Sequence, residues 1–233
     1  MNNWFKFGLI FCLLILQQTN IIGQETNPKK WWVLPVSLIG LGIASSSQEI
    51  KNVQSEVYQN SFNGFHTSVD NFLQYSPTLI NIGLSVTHPI PEARNAKIGR
   101  FVLGTLSYTL IVQGLKRSLL VTRPNGGEFS FPSGHTATAF FGAHLLAKEV
   151  GKEKPFLIYL GYGLASSTAL IRMANNEHWL ADVLVGAGIG ISAAEFSYYL
   201  YPKLKTKWKE KNAFKINPIL GNQYYALQMS YSL

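Results

Sequence analysis

Apolar positions in this chain gather into segments separated by short polar connections. The first runs from Phe7 to Leu16 behind Lys6 and is followed by Ile22-Gly23-Gln24. A short apolar core with a polar flank reads as a secretory leader, residues 1–23, cleaved after Gly23. Trp31–Ala44 is the next apolar stretch. Residues 45–74 are more polar, and their apolar positions recur as on one amphipathic helix. Further apolar segments follow at Thr78–Val86, Ile98–Leu115, Thr136–Ala147, Phe156–Ile171 and Val183–Tyr201. Pro89, Pro91, Pro124-Asn125-Gly126-Gly127, Pro155 and Pro202 punctuate them. Gly161, Gly163, Gly186, Gly188 and Gly190 are residues of the kind found where helices pack closely. The pattern predicts an all-α bundle of about five to six helices, inserted in a membrane, over residues 24–202. Residues 203–233 form a basic C-terminal extension, and Tyr224–Leu233 includes a strand-like alternation.

A membrane span needs about 20 apolar residues. Ile98–Leu115 and Val183–Tyr201 come near that length, whereas Thr136–Ala147 and Thr78–Val86 fall short. A soluble or partly inserted bundle is therefore the alternative. Charge placement favours the membrane. Arg94, Lys97 and Arg100, then Lys148, Lys152 and Lys154, then the lysines from Lys203 to Lys215 fall on one face when successive spans are threaded. The positive-inside rule makes that face cytoplasmic, so residues 116–135 and 172–182 share the opposite one. Cleavage after Gly23 with full crossings at both Trp31–Ala44 and Thr78–Val86 would put residues 91–100 outside. One of those short segments is thus expected not to cross.

Composition narrows the function classes. Hydrophobic residues make up 47% and charged residues 14%, with a formal net charge of +8. The positive balance suits anionic partners, and no aromatic-and-basic module for nucleic acid is present. Cys12 is the one cysteine, which excludes a disulfide within the chain and a cysteine zinc site, and argues against thiol catalysis.

Three clusters carry candidate chemistry. Six residues separate Lys116 from Arg123-Pro124. Phe131-Pro132-Ser133-Gly134-His135 leads directly into an apolar helical run. Arg172 is followed after five residues by His178 and after three more by Asp182. Ser133 is a natural N-cap, and a helix start offers free N–H groups and a positive dipole end to phosphate. Gly134 lets backbone approach an anion closely, and His135 falls in the first turn. An ordinary capped helix with a surface histidine would look the same. On a helix, His178 and Asp182 at i and i+4 share one face. There a carboxylate on one imidazole nitrogen leaves the other free to attack, although a purely structural pair is also possible. Lys116, Arg123 and Arg172 could neutralise phosphoryl oxygens. Any one of them alone reads as a solvated charge, but jointly they point to phosphoryl chemistry.

Together these motifs resemble the type 2 phosphatidic acid phosphatase and vanadium haloperoxidase superfamily. The motifs cover residues 116–182, and the helical pattern extends the likeness over roughly 70–200. The resemblance implies that His178 is the nucleophile, Asp182 its orienting carboxylate and His135 the general acid. It implies that Lys116, Arg123, Ser133, Gly134 and Arg172 bind the phosphoryl oxygens, with no metal and no cofactor. One position departs from the family pattern: Ile171 stands where Ser usually precedes the third-motif Arg. Asn175 and Asn176 could supply compensating bonds, but read first as turn residues. His144, His66 and His88 read as structural.

The implied activity is hydrolysis of lipid phosphate monoesters or diphosphates through a phosphohistidine. The site would lie in the membrane of a bacterial-type envelope, on the extracytoplasmic, periplasmic side. The expected partners are a phosphorylated lipid and the membrane, not nucleic acid. The alternatives are a secreted nonspecific acid phosphatase, a vanadate-dependent haloperoxidase and a non-catalytic anion-binding membrane protein.

Overall fold

The computed structural model describes residues 31–86, 91–150, 153–211, 214–220 and 225–231. The leader, His88 and Pro89 lie outside them. Among the described residues are eight helices: α1 (Val33–Ala44), α2 (Gln48–Ser61), α3 (Val69–Leu73), α4 (Ser76–Val86), α5 (Pro91–Leu119), α6 (Gly134–Val150), α7 (Phe156–Ala174) and α8 (Leu180–Lys211). The amphipathic stretch 45–74 is divided between α2 and α3. The Ser47 side chain accepts from the Ile50 amide to start α2, while Phe65–Thr67 is irregular chain before α3. The remaining six helices form the bundle. After it, β1 (Phe214–Leu220) pairs antiparallel with β2 (Tyr225–Tyr231), Phe214 opposite Tyr231. The alternation near the C-terminus is thus one arm of a hairpin.

α6 is the axis of the bundle. Ala137, Ala139, Phe140, Ala143 and Leu146 on it are wholly buried, because α8 and α7 flank it and α4 and α5 complete the ring. Helices approach most closely where side chains are absent. A Cβ on Gly190 would lie 2.3 Å from the Ala137 carbonyl oxygen, and one on Gly186 would lie 2.6 Å from that of Ser133. Gly188 makes the corresponding approach to Pro35 and Ile39 of α1, whereas Gly163 faces open space.

Among the described residues three helices are long and apolar enough to cross a membrane: Asn95–Leu119, Phe156–Ala174 and Leu180–Thr206. They differ in role. The most apolar window of the α8 span is 83% buried inside the protein, that of the α5 span only 11%. Val102, Leu106 and Leu110 on α5 are exposed, as suits a helix that meets hydrocarbon rather than neighbouring helices. α1 and α2 together pass the same test but are bent by 86°, and α4 has 11 residues. The expectation that one early segment falls short of a crossing fits these lengths.

The basic segments meet at one end of the bundle. Lys97 of α5 pairs with Glu149 of α6 at 3.1 Å, and the Tyr201 hydroxyl of α8 lies 3.3 Å from the Asn95 carbonyl. α8 itself continues through Pro202 to Lys211, so the first lysines after residue 202 extend the last bundle helix. The motif clusters occupy the other end.

Candidate active site

Local chain chemistry brings the three clusters together. Lys116 is in the last turn of α5. The following loop folds back on itself: the Arg123 amide donates to Gly127 O at 2.7 Å, with Gly126 at φ +86° taking the turn that disfavours a side chain. Ser133 caps α6, its hydroxyl accepting from the Thr136 amide at 3.4 Å, and His135 stands in the first turn. Arg172 is in the last turn of α7. That helix stops at Asn175, and Asn176 takes the left-handed conformation at φ +58° that Asn tolerates after a helix end. The Ser133 amide donates to the Asp182 carbonyl at 3.0 Å, which joins the start of α6 to that of α8.

His178 and Asp182 meet, but not on one helical face. His178 precedes α8, which begins at Leu180, and Asp182 sits in its first turn. The carboxylate turns back over the helix start. Its Oδ2 accepts from the Trp179 amide at 2.8 Å, pairs with His178 Nδ1 at 3.3 Å and accepts from the Ser130 hydroxyl. His178 and Asp182 are 2% and 1% exposed. This capping geometry does the orienting work expected of a helical i, i+4 pair. Burial lowers the His178 pKa to about 4 despite Asp182, which pulls it upward; Arg172 and Lys116 add to the lowering. The ring is therefore neutral near pH 7, with Nδ1 engaged by the carboxylate. Nδ1 carries the only side-chain bond of this ring among the described residues, so the Nε2 lone pair is free.

A cavity of about 420 Å³ opens over this pair, lined by Lys116, Arg123, Gly134, His135, Arg172 and His178 among others. Three cations, two imidazoles and a helix N-terminus thus share one space. Arg172 Nε is buried with no hydrogen-bond partner, a donor that an oxyanion in the cavity would satisfy. Burial, then the Arg172 charge, lowers the His135 pKa to about 4, with Asp70 opposing. Asp182 stands behind His178 rather than in the wall. Ser133 is fully buried and its hydroxyl bonds within the first turn to Thr136 at 2.9 Å; the structure places it as the cap and not on the cavity surface. Among the described residues no group of three His, Cys, Asp or Glu side chains could hold a metal ion.

Residues 97–206 match the family described as the PAP2 superfamily. These residues form a PAP2 superfamily domain. The lipid A 1-phosphatase of Porphyromonas gingivalis is 31% identical over 211 residues, covering 82% of this chain and 47% of its own length. The chain therefore spans about half of that relative. The lipid A 1-phosphatase of Helicobacter pylori (strain ATCC 700392 / 26695) is 27% identical over 182 residues, 72% of this chain and 88% of its own. The crystal structure of Aquifex aeolicus LpxE superposes with a TM-score of 0.49 at 26% identity, covering 62% of this chain and 93% of that one.

The PAP2 domain holds every motif residue, yet the site also draws on α3, which precedes it. Asp70 is 1% exposed and pairs with Arg172 Nη1 at 2.7 Å. Asn71 Oδ1 lies 2.9 Å from His135 Nε2. Asn175 is no mere turn residue: its amide group accepts from the Thr67 amide at 3.0 Å, donates to the Thr67 carbonyl at 2.8 Å and reaches Asp70 at 3.3 Å. It locks α3 to the end of α7. The sequence reading missed Asp70, Asn71 and Ser130, and Glu177, which contacts both Arg123 and Arg172. The usable signal was Asp-Asn in a short polar segment just before an apolar helix. Ile171 has no polar part; the hydroxyl that reaches the dyad is that of Ser130.

Proposed function

We propose that this protein is a membrane phosphatase that removes phosphate from the headgroup of a lipid through a phosphohistidine on His178. The observation that carries this reading is the His178–Asp182 pair at 3.3 Å beneath a cavity that Lys116, Arg123 and Arg172 also line. Anion binding alone needs no imidazole oriented by a carboxylate.

In this reading the phosphoryl oxygens take the Lys116, Arg123 and Arg172 cations and the free N–H groups at the start of α6. The His178 Nε2 lone pair attacks phosphorus as the bond to the leaving oxygen breaks, and His135 gives that oxygen its proton. Asp182 stabilises the positive charge that the substituted ring acquires. Water then attacks phosphorus, His135 takes its proton, and the P–N bond breaks to release phosphate. His135 must be protonated for the first step. A bound phosphoryl dianion beside Arg172 raises its pKa by offsetting the cationic field.

Two further observations support a lipid A-like glycolipid 1-phosphate as substrate. The relatives named above are lipid A 1-phosphatases. Beyond the cations and imidazoles, the cavity wall is uncharged and mostly polar, with Gln74, Thr109, Gln113 and Thr138 beside Tyr108 and Val112, suited to a headgroup rich in hydroxyl and amide groups. The basic end of the bundle favours an extracytoplasmic site by the positive-inside rule.

The test is phosphate release by purified protein in detergent with EDTA, each substrate with and without vanadate. A lipid A-like 1-phosphate, phosphatidic acid, a polyprenyl diphosphate and p-nitrophenyl phosphate are compared. The expected result is vanadate-sensitive release, fastest from the glycolipid. Preference for the soluble ester would move the protein to the secreted acid phosphatases. No release from any substrate would overturn the enzymatic reading. Orientation is read separately in a Cys12→Ser background, by labelling Asn125→Cys and Lys154→Cys in intact cells with an impermeant maleimide. The reading requires that only the former reacts.

A further inference from the structure

We propose that Glu177 is a specificity-determining residue: it competes with the substrate's phosphate for the guanidinium clamp, and so favours esters that bring binding energy from elsewhere. This inference rests on the reading of the cavity as a phosphate site.

One oxygen of Glu177, Oε2, pairs with Arg123 Nη1 and lies 3.3 Å from Arg172 Nη2. The Glu177 amide donates to the Arg172 carbonyl at 3.0 Å, which holds the residue beside the clamp and next to the nucleophile. A phosphoryl group can take the free Arg172 Nε, but to bridge Arg123 Nη1 and Arg172 Nη2 it has to take them from this carboxylate. Glu177 differs in this from the other carboxylate on Arg172. Asp70 is 1% exposed, is also bonded by Asn175 and does not reach Arg123. It fixes Arg172 from behind. The Glu177 side chain is 22% exposed and can swing out towards solvent.

The charges make displacement costly. Lys116, Arg123 and Arg172 contribute three positive charges, and Asp70, Glu177 and Asp182 contribute three negative ones, so the formal sum is zero. A phosphoryl dianion entering with Glu177 in place meets no net positive site. Free phosphate and small esters have only the clamp to bind. A lipid phosphate also has its headgroup on the uncharged wall and its chains in the bilayer, and that remote binding energy can drive the exchange. The same competition expels the product phosphate once the rest of the lipid has left.

The test uses Glu177→Gln, which keeps the size and removes the charge. Inhibition by inorganic phosphate and by vanadate is measured, together with kcat/KM for p-nitrophenyl phosphate and for the preferred lipid phosphate. The inhibition constants should fall by about tenfold, the consequence of removing a like charge beside a partly exposed anion. The KM for the soluble ester should fall with them, and the ratio of lipid to soluble kcat/KM should shrink. Phosphate that inhibits the variant no better than wild type, or a higher KM for both substrates, would mean that Glu177 merely braces the arginines, and the proposal fails. The same comparison is made without turnover, by calorimetric titration with inorganic phosphate in the His178→Ala background. Tighter binding on adding Glu177→Gln sustains the proposal, and unchanged or weaker binding sinks it. If wild type hydrolyses no ester and binds neither anion, the phosphate-site reading itself falls, an outcome distinct from active enzyme with unchanged inhibition.

Discussion

Among the described residues are two buried histidine–carboxylate pairs, and the proposed function asks only one of them to react. In the bundle core, His144 of α6 uses both ring nitrogens: Nδ1 is 2.6 Å from the Tyr162 hydroxyl and Nε2 is 2.8 Å from Glu195. Lys148 closes the group on Glu195 at 2.8 Å. Every donor there has an acceptor, and no lone pair is left for a substrate. At the other end His178 spends Nδ1 on Asp182 and nothing on Nε2, and it lines a cavity with three cations. Burial is nearly equal, 4% against 2% exposed, so burial does not distinguish them. The distinction is one unspent nitrogen facing a space where charge can develop.

The largest effect that would break this comparison is on turnover. His178→Ala should lower kcat by at least about four orders of magnitude, with thermal unfolding in detergent little changed. His144→Ala should do the reverse. It strands Glu195 and Tyr162 without their partner and should cost about 1–3 kcal/mol of stability, while folded protein keeps its kcat. A turnover loss in His144→Ala comparable to that in His178→Ala would erase the distinction. Next in size is Asp182→Asn, expected to lower kcat about a hundredfold or more by loosening the ring orientation and weakening its positive charge. Steady-state kinetics at fixed substrate saturation reads it.

A smaller, mixed effect is expected where α6 and α8 touch. Gly190→Ala places a methyl 2.3 Å from the Ala137 carbonyl and 2.9 Å from the Phe141 amide. Backbone on both sides cannot yield locally, so the helices must part, at about 1–3 kcal/mol. Because α6 carries His135 and α8 carries Asp182, kcat should fall along with the melting temperature. Gly163→Ala, which meets nothing within 4 Å, is the control and should change neither.

The two pairs also differ in how far they could be read from sequence. His135, His178, Asp182 and the three cations were legible because each lies within a few residues of helix punctuation, where short-range spacing carries meaning. His144 reads as structural because it lies nine positions after His135 on a slightly rotated helix face, and its Tyr162 and Glu195 partners occupy both ring nitrogens. Asp70 was not legible. Its partner Arg172 is 102 positions away, and residues 45–74 read as one amphipathic helix, which gives Asp70 no distinct place. The break between α2 and α3 sets Asp70 on a short helix of its own, against Arg172. Helices extend past the apolar segments for a related reason. α5 runs from Pro91 to Leu119, beyond the apolar segment Ile98–Leu115 at both ends, because Pro is favoured at a first helical position and Lys and Arg at the last turn. Hydropathy sees only the apolar middle.

The finest distinction concerns His135, which unlike the other two histidines is expected to act as a cation. Asn71 Oδ1 is 2.9 Å from its Nε2. The charged or titratable groups acting on the ring are Arg172, His178 and Arg123, which lower its pKa, and Asp70, which raises it. Asn71→Asp adds an acceptor with full negative charge and should raise the pKa by about one unit; Asn71→Leu should lower it. A general acid works while protonated, so its contribution is present below its pKa and lost as pH rises through it. The alkaline limb of kcat should therefore move to higher pH in Asn71→Asp and to lower pH in Asn71→Leu. The acid limb of kcat/KM has a different origin. It reports His178, whose neutral ring is lost as pH falls through about 4, and neither variant touches it. A pH–rate series in which only the alkaline limb moves assigns Asn71 to the acid. Movement of both limbs together would mean that α3 acts on the site as a whole, through Asp70 and Arg172, and that Asn71 has no separate hold on the proton.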